Sequence, residues 1–198
     1  MIMQMRVDKT LSQLQIATRS ESKKLFAAGR VKINDEIIKN GSVKFNPERD
    51  LLSVDGEAVV YREFQYFMLN KPAGCITATE DKKERTVMDF LPRERHRNLS
   101  PVGRLDKDTE GLLLITDDGA LNHELLAPGK HVEKEYFARV SGKVTEEVTK
   151  RFAEGLEIGE KRPTAPAGLE LRGTDGETVS EVLVTITEGK FHQIKRMF

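Results

Sequence analysis

The residues best suited to chemistry lie at positions 103–111, where two glycines enclose a run of charged side chains that includes Arg104 and Asp106. The next five residues, 112–116, are mostly apolar and end at the turn sequence Asp117-Asp118-Gly119. A short apolar run that ends in a turn predicts a buried strand. Such a strand would hold a carboxylate and a guanidinium on a loop against a sheet, where catalytic groups are often placed.

The same loop also has the carboxylate spacing of a calcium-binding loop. The first half of an EF-hand loop is matched by Asp106, Asp108, Glu110 and Gly111. Asp117 falls where the closing ligand belongs, but an EF-hand uses a bidentate Glu there. Pro101 and Gly103 also disfavour the helix that should enter such a loop. We therefore expect no metal, and an ordinary ion pair between Arg104 and Asp106 is the second non-catalytic explanation.

Length and composition set broad bounds on the protein. The chain has 198 residues, 38% hydrophobic and 32% charged, with a formal net charge of 0. This length allows one large domain or two small ones, and the balanced charge gives no overall case for nucleic acid. The sequence has neither the apolar core of a signal peptide nor a stretch of transmembrane length. Cys75 is the only cysteine, which excludes an internal disulfide and predicts a reducing, cytoplasmic location.

Residues 1–60 are predicted to form a small α+β domain of their own. Asp8 and Ser20 are candidate caps for two short helices, and the second helix should stop at Gly29. Short strands should follow, with turns at Asn34-Asp35 and Asp55-Gly56. Between positions 6 and 45 this segment has nine Lys or Arg side chains and four Asp or Glu side chains. From charge alone, the plainer explanation of this excess is a solvated helix face.

Three stretches of the N-terminal segment resemble the S4 RNA-binding domain: Arg6-Val-Asp-Lys-Thr-Leu, Thr18-Arg19-Ser20-Glu21-Ser22-Lys23-Lys24 and Gly29-Arg30-Val31-Lys32-Ile33-Asn34. The resemblance implies that the second helix and the following loop lay basic side chains on structured RNA. Such a domain would contact phosphates and RNA shape, because A-form grooves hide the base edges. The RNA contacts expected on this resemblance are Arg6, Lys9, Arg19, Lys23, Lys24, Arg30 and Lys32.

Residues 61–198 are predicted to form a second α+β domain. Strands are expected at residues 65–69, 112–116, 132–140, 156–158, 169–171 and 178–187. Short helices are expected at residues 86–90, 120–126 and 145–154, with a last one beginning at Gln193. Hairpins mixed with single helices predict a largely antiparallel sheet with flanking helices. Lys134 interrupts the apolar face of the strand at 132–140, on which Tyr136 also lies, so that face is expected to border a cleft.

Four motifs follow one another along the second domain: Leu69-Asn70-Lys71-Pro72-Ala73-Gly74, Gly103-Arg104-Leu105-Asp106, Glu133-Lys134-Glu135-Tyr136 and Gly189-Lys190-Phe191-His192-Gln193-Ile194-Lys195-Arg196-Met197. Together, and downstream of an S4-like module, they resemble the RsuA-type pseudouridine synthases. The extended central motif is most similar to their small-subunit branch. The resemblance implies a pseudouridine synthase fold, built on a largely antiparallel mixed sheet, that converts a uridine of 16S ribosomal RNA to pseudouridine. The alternatives are a synthase for large-subunit ribosomal RNA and a non-catalytic S4-type RNA-binding protein.

The resemblance also implies roles for individual residues. Asp106 would be the nucleophile, since a covalent carboxylate adduct divides a difficult exchange of glycosidic bonds into easier steps. Attack at ribose C1′, attack at uracil C6 and a glycal route all stay open. Lys195 matches a cation, often Arg in the family, that would favour the ionised carboxylate. Tyr136 would stack on the target base or move a proton, although the pattern alone fits a buried aromatic equally well. Arg104 would help to hold the flipped nucleotide or its phosphate. Further RNA contacts are expected at Asn70, Lys71 and Arg196.

The resemblance implies neither a metal nor an organic cofactor, and the histidines have no metal-ligand spacing with Cys75. The expected partner of a monomeric enzyme is small-subunit ribosomal RNA or its assembly intermediate, with no membrane involved. Family members continue beyond the last motif, whereas this chain ends at Phe198. We therefore expect the C-terminal strands of the catalytic sheet to be lacking, in a shortened or an incomplete chain. The final helix should then leave Ile194, Met197 and Phe198 poorly covered.

Overall fold

A computed structural model describes residues 4–92, 98–176 and 178–198 of the chain. The described residues divide into two compact units, one formed by residues 4–65 together with Pro92 and the other by the described residues of Tyr66–Leu91 and Asn98–Phe198. No helix within the described ranges has the length and apolar character needed to cross a membrane.

The first unit contains two helices and two small antiparallel sheets. Its elements are β1 (Met5–Arg6), α1 (Val7–Gln13), α2 (Arg19–Ala27), β2 (Val31–Ile33), β3 (Glu36–Ile37), β4 (Lys44–Phe45), β5 (Leu52–Val54) and β6 (Glu57–Ala58). Four strands pair in the order β3-β2-β5-β6, and β1 pairs with β4. Both helices pack on one buried cluster, which consists of Val7, Leu11, Phe26, Val31, Phe45, Leu52 and Val54.

The helix caps of this unit differ from the prediction. Arg6 occupies the N-cap position of α1, so Asp8 lies in the first turn and does not cap the helix. Thr18, not Ser20, caps α2, because the Thr18 hydroxyl accepts from the Glu21 N–H while the Glu21 carboxylate accepts from the Thr18 N–H. This reciprocal pair is a capping box. The predicted turn at Asn34-Asp35 is confirmed, with φ of 49° and 69° at its two residues.

The second unit has two separate three-stranded antiparallel sheets, which confirms the predicted α+β class. Its strands are β7 (Tyr66–Lys71), β8 (Ser100–Pro101), β9 (Gly111–Thr116), β10 (Lys134–Ser141), β11 (Gly168–Thr174) and β12 (Val179–Ile186). Its α-helices are α3 (Gly119–Leu126), α4 (Glu146–Glu154) and α5 (Gln193–Met197), and the predicted helix after Thr86 is a 3-10 turn at Val87–Phe90. The strands pair in the orders β7-β9-β8 and β10-β12-β11.

The first of these sheets holds the charged loop of residues 103–110. Strands β7 and β9 pair along their whole length, with Phe67 opposite Ile115 and Leu69 opposite Leu113. These four side chains face the core that also contains Cys75, Val87, Met88 and Leu99. Strand β9 is therefore the buried strand predicted after the loop. Because a strand flanks the loop on either side, the EF-hand interpretation, which needs two helices, is wrong.

The second sheet packs against α4 and α5. Val182 and Val184 of β12 are fully buried beside Phe152 of α4 and Met197 of α5. Met197 is thus part of the core, contrary to the expected poor coverage, and Ile194 packs against the same cluster. Phe198 remains 46% exposed.

The predicted strand at residues 156–158 is absent from this part of the structure. The segment instead makes local contacts, since Leu156 N–H donates to Thr164 Oγ1 and Thr164 N–H donates to the Leu156 carbonyl. Ile158 is buried in the core without pairing as a strand. A three-residue apolar alternation is too short to distinguish a strand from a packed loop.

Candidate active site

Lys71 fixes the loop that carries Asp106. It ends β7 on the inward face, opposite Gly111, and its side chain is completely buried. Its ammonium donates hydrogen bonds to the carbonyls of Asp106 at 2.9 Å and Thr109 at 2.8 Å, with longer contacts to the carbonyls of Lys107 and Pro72. The predicted contact between Lys71 and RNA is therefore wrong, because the side chain has no surface to offer.

Four further hydrogen bonds hold the backbone around Asp106. The Thr77 hydroxyl donates to the Leu105 carbonyl at 2.7 Å and accepts from the Leu105 N–H at 3.1 Å. The Gly74 N–H donates to the Lys107 carbonyl at 2.8 Å, and the Thr109 N–H donates to the Asp106 carbonyl at 3.1 Å. The residues on either side of Asp106 are thus tied to the segment that follows β7, and its carboxylate is presented from a fixed backbone.

The Asp106 carboxylate meets two side chains from the C-terminal motif. Its Oδ2 lies 3.3 Å from Nζ of Lys195, which belongs to α5. Its Oδ1 lies 3.7 Å from Nε2 of His192, the residue before α5. The carboxylate is 27% exposed, so it is accessible to a substrate and yet partly removed from water. The structure therefore brings the predicted nucleophile and the predicted cation together.

The ammonium of Lys195 also contacts a second carboxylate, that of Asp108. Its ammonium lies 2.5 Å from Oδ1 of Asp108, closer than to Asp106. The hydrogen bond from Lys195 lowers the pKa of Asp108, and the same hydrogen bond is the main cause that raises the pKa of Lys195. Lys195 is therefore positively charged at neutral pH. Because this pair is exposed, it contributes little to folding stability, and its importance lies in where it places the charge.

The rest of the C-terminal motif is anchored to the protein. The Gln193 side chain is buried, accepts from the Lys190 N–H at 2.8 Å and donates to Glu188 at 3.0 Å. Arg196 donates to Glu160 at 2.8 Å, to the Phe191 carbonyl at 3.0 Å and to the carbonyl of Ile158. Arg196 therefore helps to hold the fold together, and because its side chain is still 29% exposed, the RNA contact expected for it stays a prediction.

Tyr136 lies half-buried on β10, opposite Val184 of β12. Burial raises the pKa of Tyr136, and the negative charge of Asp106 raises it further. The tyrosine is thus close enough to Asp106 to respond to its charge. A phenol with a raised pKa is neutral at physiological pH, so its hydroxyl can donate a hydrogen bond but is not a phenolate base.

The remaining predicted contacts are at the surface. Arg104 is exposed two positions before Asp106, and Asn70 is exposed on the opposite face of β7 from Lys71. In the first unit, Arg6 makes a two-pronged contact with Asp8. Arg30 does the same with Asp55. The other basic residues of that unit are exposed at Lys9, Arg19, Lys23 and Lys24 and half-buried at Lys32.

Three residues of this site had no predicted role in it: Thr77, Asp108 and His192. Thr77 carries no local signal, because its partner Leu105 lies far along the chain. The sequence did contain a local signal for the buried position of Lys71. This residue continues the inward alternation of Phe67 and Leu69, and a lysine at such a buried position needs carbonyl groups as hydrogen-bond partners.

Comparison with known proteins agrees with this geometry. Residues 65–198 match the family model described as RNA pseudouridylate synthase, and residues 5–51 match the S4 domain. An uncharacterized RNA pseudouridine synthase of Bacillus subtilis is 43% identical over 195 residues, which cover 98% of this chain and 81% of that protein. The ribosomal small subunit pseudouridine synthase A of Haemophilus influenzae is 41% identical over 195 residues, covering 98% and 82%. The ribosomal small subunit pseudouridine synthase A of Escherichia coli is 38% identical over 196 residues, which cover 98% of this chain and 82% of that protein.

A solved structure points the same way. The crystal structure of a pseudouridylate synthase superposes with a TM-score of 0.63 at 40% identity, covering 98% of this chain and 82% of that one. The family match spans more than half of the chain, and these relatives match almost all of it. The resemblance inferred from the motifs is therefore confirmed, and the chain belongs to the RNA pseudouridylate synthase family, enzymes that convert uridine to pseudouridine, with an S4 domain preceding the synthase domain.

Proposed function

We propose that this chain isomerises a specific uridine of small-subunit (16S) ribosomal RNA to pseudouridine, with Asp106 as the nucleophile. The observation that carries the proposal is the contact between the Asp106 carboxylate and Lys195, made on a loop whose backbone is fixed by the buried Lys71. The choice of small-subunit RNA is supported by the names of the relatives from Haemophilus influenzae and Escherichia coli.

The reaction exchanges one bond of the nucleotide for another. The bond between uracil N1 and ribose C1′ breaks, the base rotates, and a bond forms between C5 and C1′. The hydrogen on C5 leaves as a proton and N1 gains a proton, so the product is an isomer of the substrate. A carboxylate at Asp106 can add to C1′ or to C6, or can promote a glycal route, and each route divides the exchange into smaller steps.

The other side chains of the site have distinct parts in this proposal. Lys195 stabilises the negative charge of the nucleophile from 3.3 Å away. Tyr136, as a neutral phenol, stacks against the target base on the inward side of β10. Arg104, exposed on the same loop as Asp106, binds a phosphate of the flipped nucleotide. None of these steps calls for a metal ion or an organic cofactor.

The S4 domain supplies affinity for the substrate. A uridine must leave its stack to reach Asp106, at a cost of about a few kcal/mol that is smallest where pairing is already weak. Exposed Arg19, Lys23 and Lys24 on α2 would bind RNA phosphates and offset that cost. In this proposal the enzyme is a cytoplasmic monomer, and it binds small-subunit ribosomal RNA or its assembly intermediate.

The decisive experiment is tritium release from transcripts labelled with 5-tritiated uridine, because isomerisation frees the hydrogen at C5. We expect the tritium released from a 16S transcript to approach one equivalent per transcript, and we expect no release from a 23S transcript. The modified position in the 16S transcript is then mapped. Release from 23S RNA alone would make the enzyme a large-subunit synthase. Binding of both transcripts without release would favour the non-catalytic alternative.

A further inference from the structure

Phe191 presents an aromatic ring to solvent beside the active site. Its side chain is 67% exposed. One face of the ring stacks on His192, with centroids 3.8 Å apart and planes inclined by 19°. We propose that the other face of Phe191 binds, by stacking, the nucleobase adjacent to the target uridine in the RNA. This inference rests on the proposed function and adds a second base-binding position to it.

The position of Phe191 is fixed by its backbone. Phe191 and His192 form the tip of a turn that is closed by the Gln193 N–H donating to the Lys190 carbonyl at 3.2 Å. The Gln193 side chain closes the same turn a second time through the Lys190 N–H. Arg196 donates to the Phe191 carbonyl at 3.0 Å. The turn therefore holds the ring in water in a fixed position, with one face covered by His192 and the other free to stack.

The stack leads directly to the nucleophile. His192 contacts Phe191 through its ring face and lies 3.7 Å from the Asp106 carboxylate through Nε2. The His192 ring therefore lies between Phe191 and Asp106, the residue proposed to attack the flipped uridine. When that uridine leaves its stack, the neighbouring base loses a stacking partner. Phe191 can replace this partner, since aromatic side chains stack on any base and bind single-stranded RNA in this way.

Phe137 provides a matched control. It is 59% exposed, but it alternates with Tyr136 along β10 and therefore points to the opposite face of the strand. Exposure alone would give Phe137 and Phe191 the same effect on RNA binding. The proposal predicts an effect for Phe191 only, because Phe191 alone of the two lies beside the nucleophile.

The test uses the full chain and a 16S RNA fragment that contains the uridine mapped by tritium release, with 2-aminopurine replacing the base on its 5′ or 3′ side. We expect the parent protein to quench one of the two probes by stacking. Phe191→Ala should lose that quenching and raise KM by about 5- to 150-fold, the range for one base stack. This variant should change KM more than kcat. Phe191→Tyr should restore the quenching and the parental KM, and Phe137→Ala should match the parent in both.

Each contrary outcome has a separate meaning. Equal quenching and equal KM in the parent and Phe191→Ala, with tritium still released, would overturn the second base-binding position and leave the proposed function intact. A parent that releases no tritium would overturn the proposed function and this position with it. A lower melting temperature in both Phe191→Ala and Phe191→Tyr, with no change in quenching, would make the ring a packing contact and would also overturn the proposal.

Discussion

The ammonium of Lys195 lies 3.3 Å from the Oδ2 of Asp106, so the last helix of the chain places a positive charge against the central loop. The same ammonium lies 2.5 Å from Asp108. One cation therefore bridges two carboxylates that differ in accessibility, with Asp106 partly buried and Asp108 largely exposed. This difference separates the proposed nucleophile, Asp106, from its neighbour, so we expect mutation of the two acids to have different effects.

The first prediction compares these two acids. Asp106→Asn should reduce tritium release on the order of 10⁴-fold or more, as expected when a nucleophile is removed, while the RNA dissociation constant stays within a few-fold of the parent. Asp108→Asn keeps the nucleophile and Lys195, so turnover should change by no more than about tenfold. Single-turnover tritium release and filter binding measure the two quantities. Equal losses of turnover in the two variants would remove Asp106 from its assigned role.

A second prediction concerns the charge on Lys195. Lys195→Met keeps the length of the side chain but removes its charge, and should lower kcat at saturating RNA by about 10²-fold, the scale for a lost preorganised charge. Lys195→Arg should recover most of the loss. Lys143→Met removes an exposed lysine from the same unit and serves as the control. If Lys195→Met weakens RNA binding but leaves kcat unchanged, Lys195 contacts phosphate and does not support the nucleophile.

Tyr136 gives a prediction about pH. Burial and the charge of Asp106 both raise its pKa above the ordinary value of about 10. Since a raised pKa favours the protonated form, the phenol stays predominantly neutral from pH 6 to about pH 9. Tyr136→Phe should therefore keep turnover within about tenfold of the parent across this range, whereas Tyr136→Leu, which loses the stacking ring, should lose about 10²-fold.

The measurement is a pair of pH–rate profiles for the parent and Tyr136→Phe. Their shapes should coincide below about pH 9, because little phenolate forms there. A parent profile with a limb that Tyr136→Phe removes, or a complete loss of turnover in Tyr136→Phe, would mean that the hydroxyl transfers a proton in the reaction.

The sequence predicted those features that local pattern determines. The strand after the charged loop, the turn at Asn34-Asp35 and the alternation of β10 follow from short-range periodicity, and the structure has all three. The contact between Asp106 and Lys195 was expected from motifs of a known family, because no local pattern links two positions so far apart in the chain.

The contacts that the sequence did not predict have the same physical origin. The buried position of Lys71 depends on carbonyl partners that lie 35 to 38 positions further along the chain. The contact between the Arg196 guanidinium and the carbonyl of Ile158 likewise joins residues 38 positions apart. In both cases a distant backbone acceptor, which the sequence does not reveal, decided where the cation points.

The buried lysine yields a stability prediction. Lys71→Met removes the buried ammonium that donates to the carbonyls of Asp106 and Thr109, and we expect a loss of about 2–5 kcal/mol in the free energy of unfolding. Lys107→Met is the control in the same loop, because Lys107 forms an exposed ion pair with Glu84 at 2.7 Å. Its removal should cost less than about 1 kcal/mol. Urea unfolding followed by circular dichroism measures both values, and similar losses in the two variants would contradict the role assigned to Lys71.

The last prediction concerns the basic residues of the S4 domain. Arg6 and Arg30 are neutralised by two-pronged contacts with Asp8 and Asp55, whereas Arg19, Lys23 and Lys24 are exposed on α2. Each lysine or arginine that binds a phosphate displaces condensed counterions, so affinity falls with salt in proportion to the number of such contacts. The three exposed residues should therefore dominate the salt dependence of RNA binding.

The experiment measures the dissociation constant for a 16S transcript between about 50 and 200 mM salt, the range over which counterion release is large. The variant with Arg19, Lys23 and Lys24 all replaced by Gln should bind more weakly, and its plot of log affinity against log salt should be flatter by about 2–3, close to one unit for each lost phosphate contact. The matched variant with Arg6 and Arg30 replaced by Gln should keep the parental slope, because those guanidinium groups are already occupied by carboxylates. If the second variant flattens the slope as much as the first, the ion pairs open on RNA and α2 is not the anchor. If neither variant changes the slope, the phosphates are bound by residues other than these five, and α2 is not the anchor.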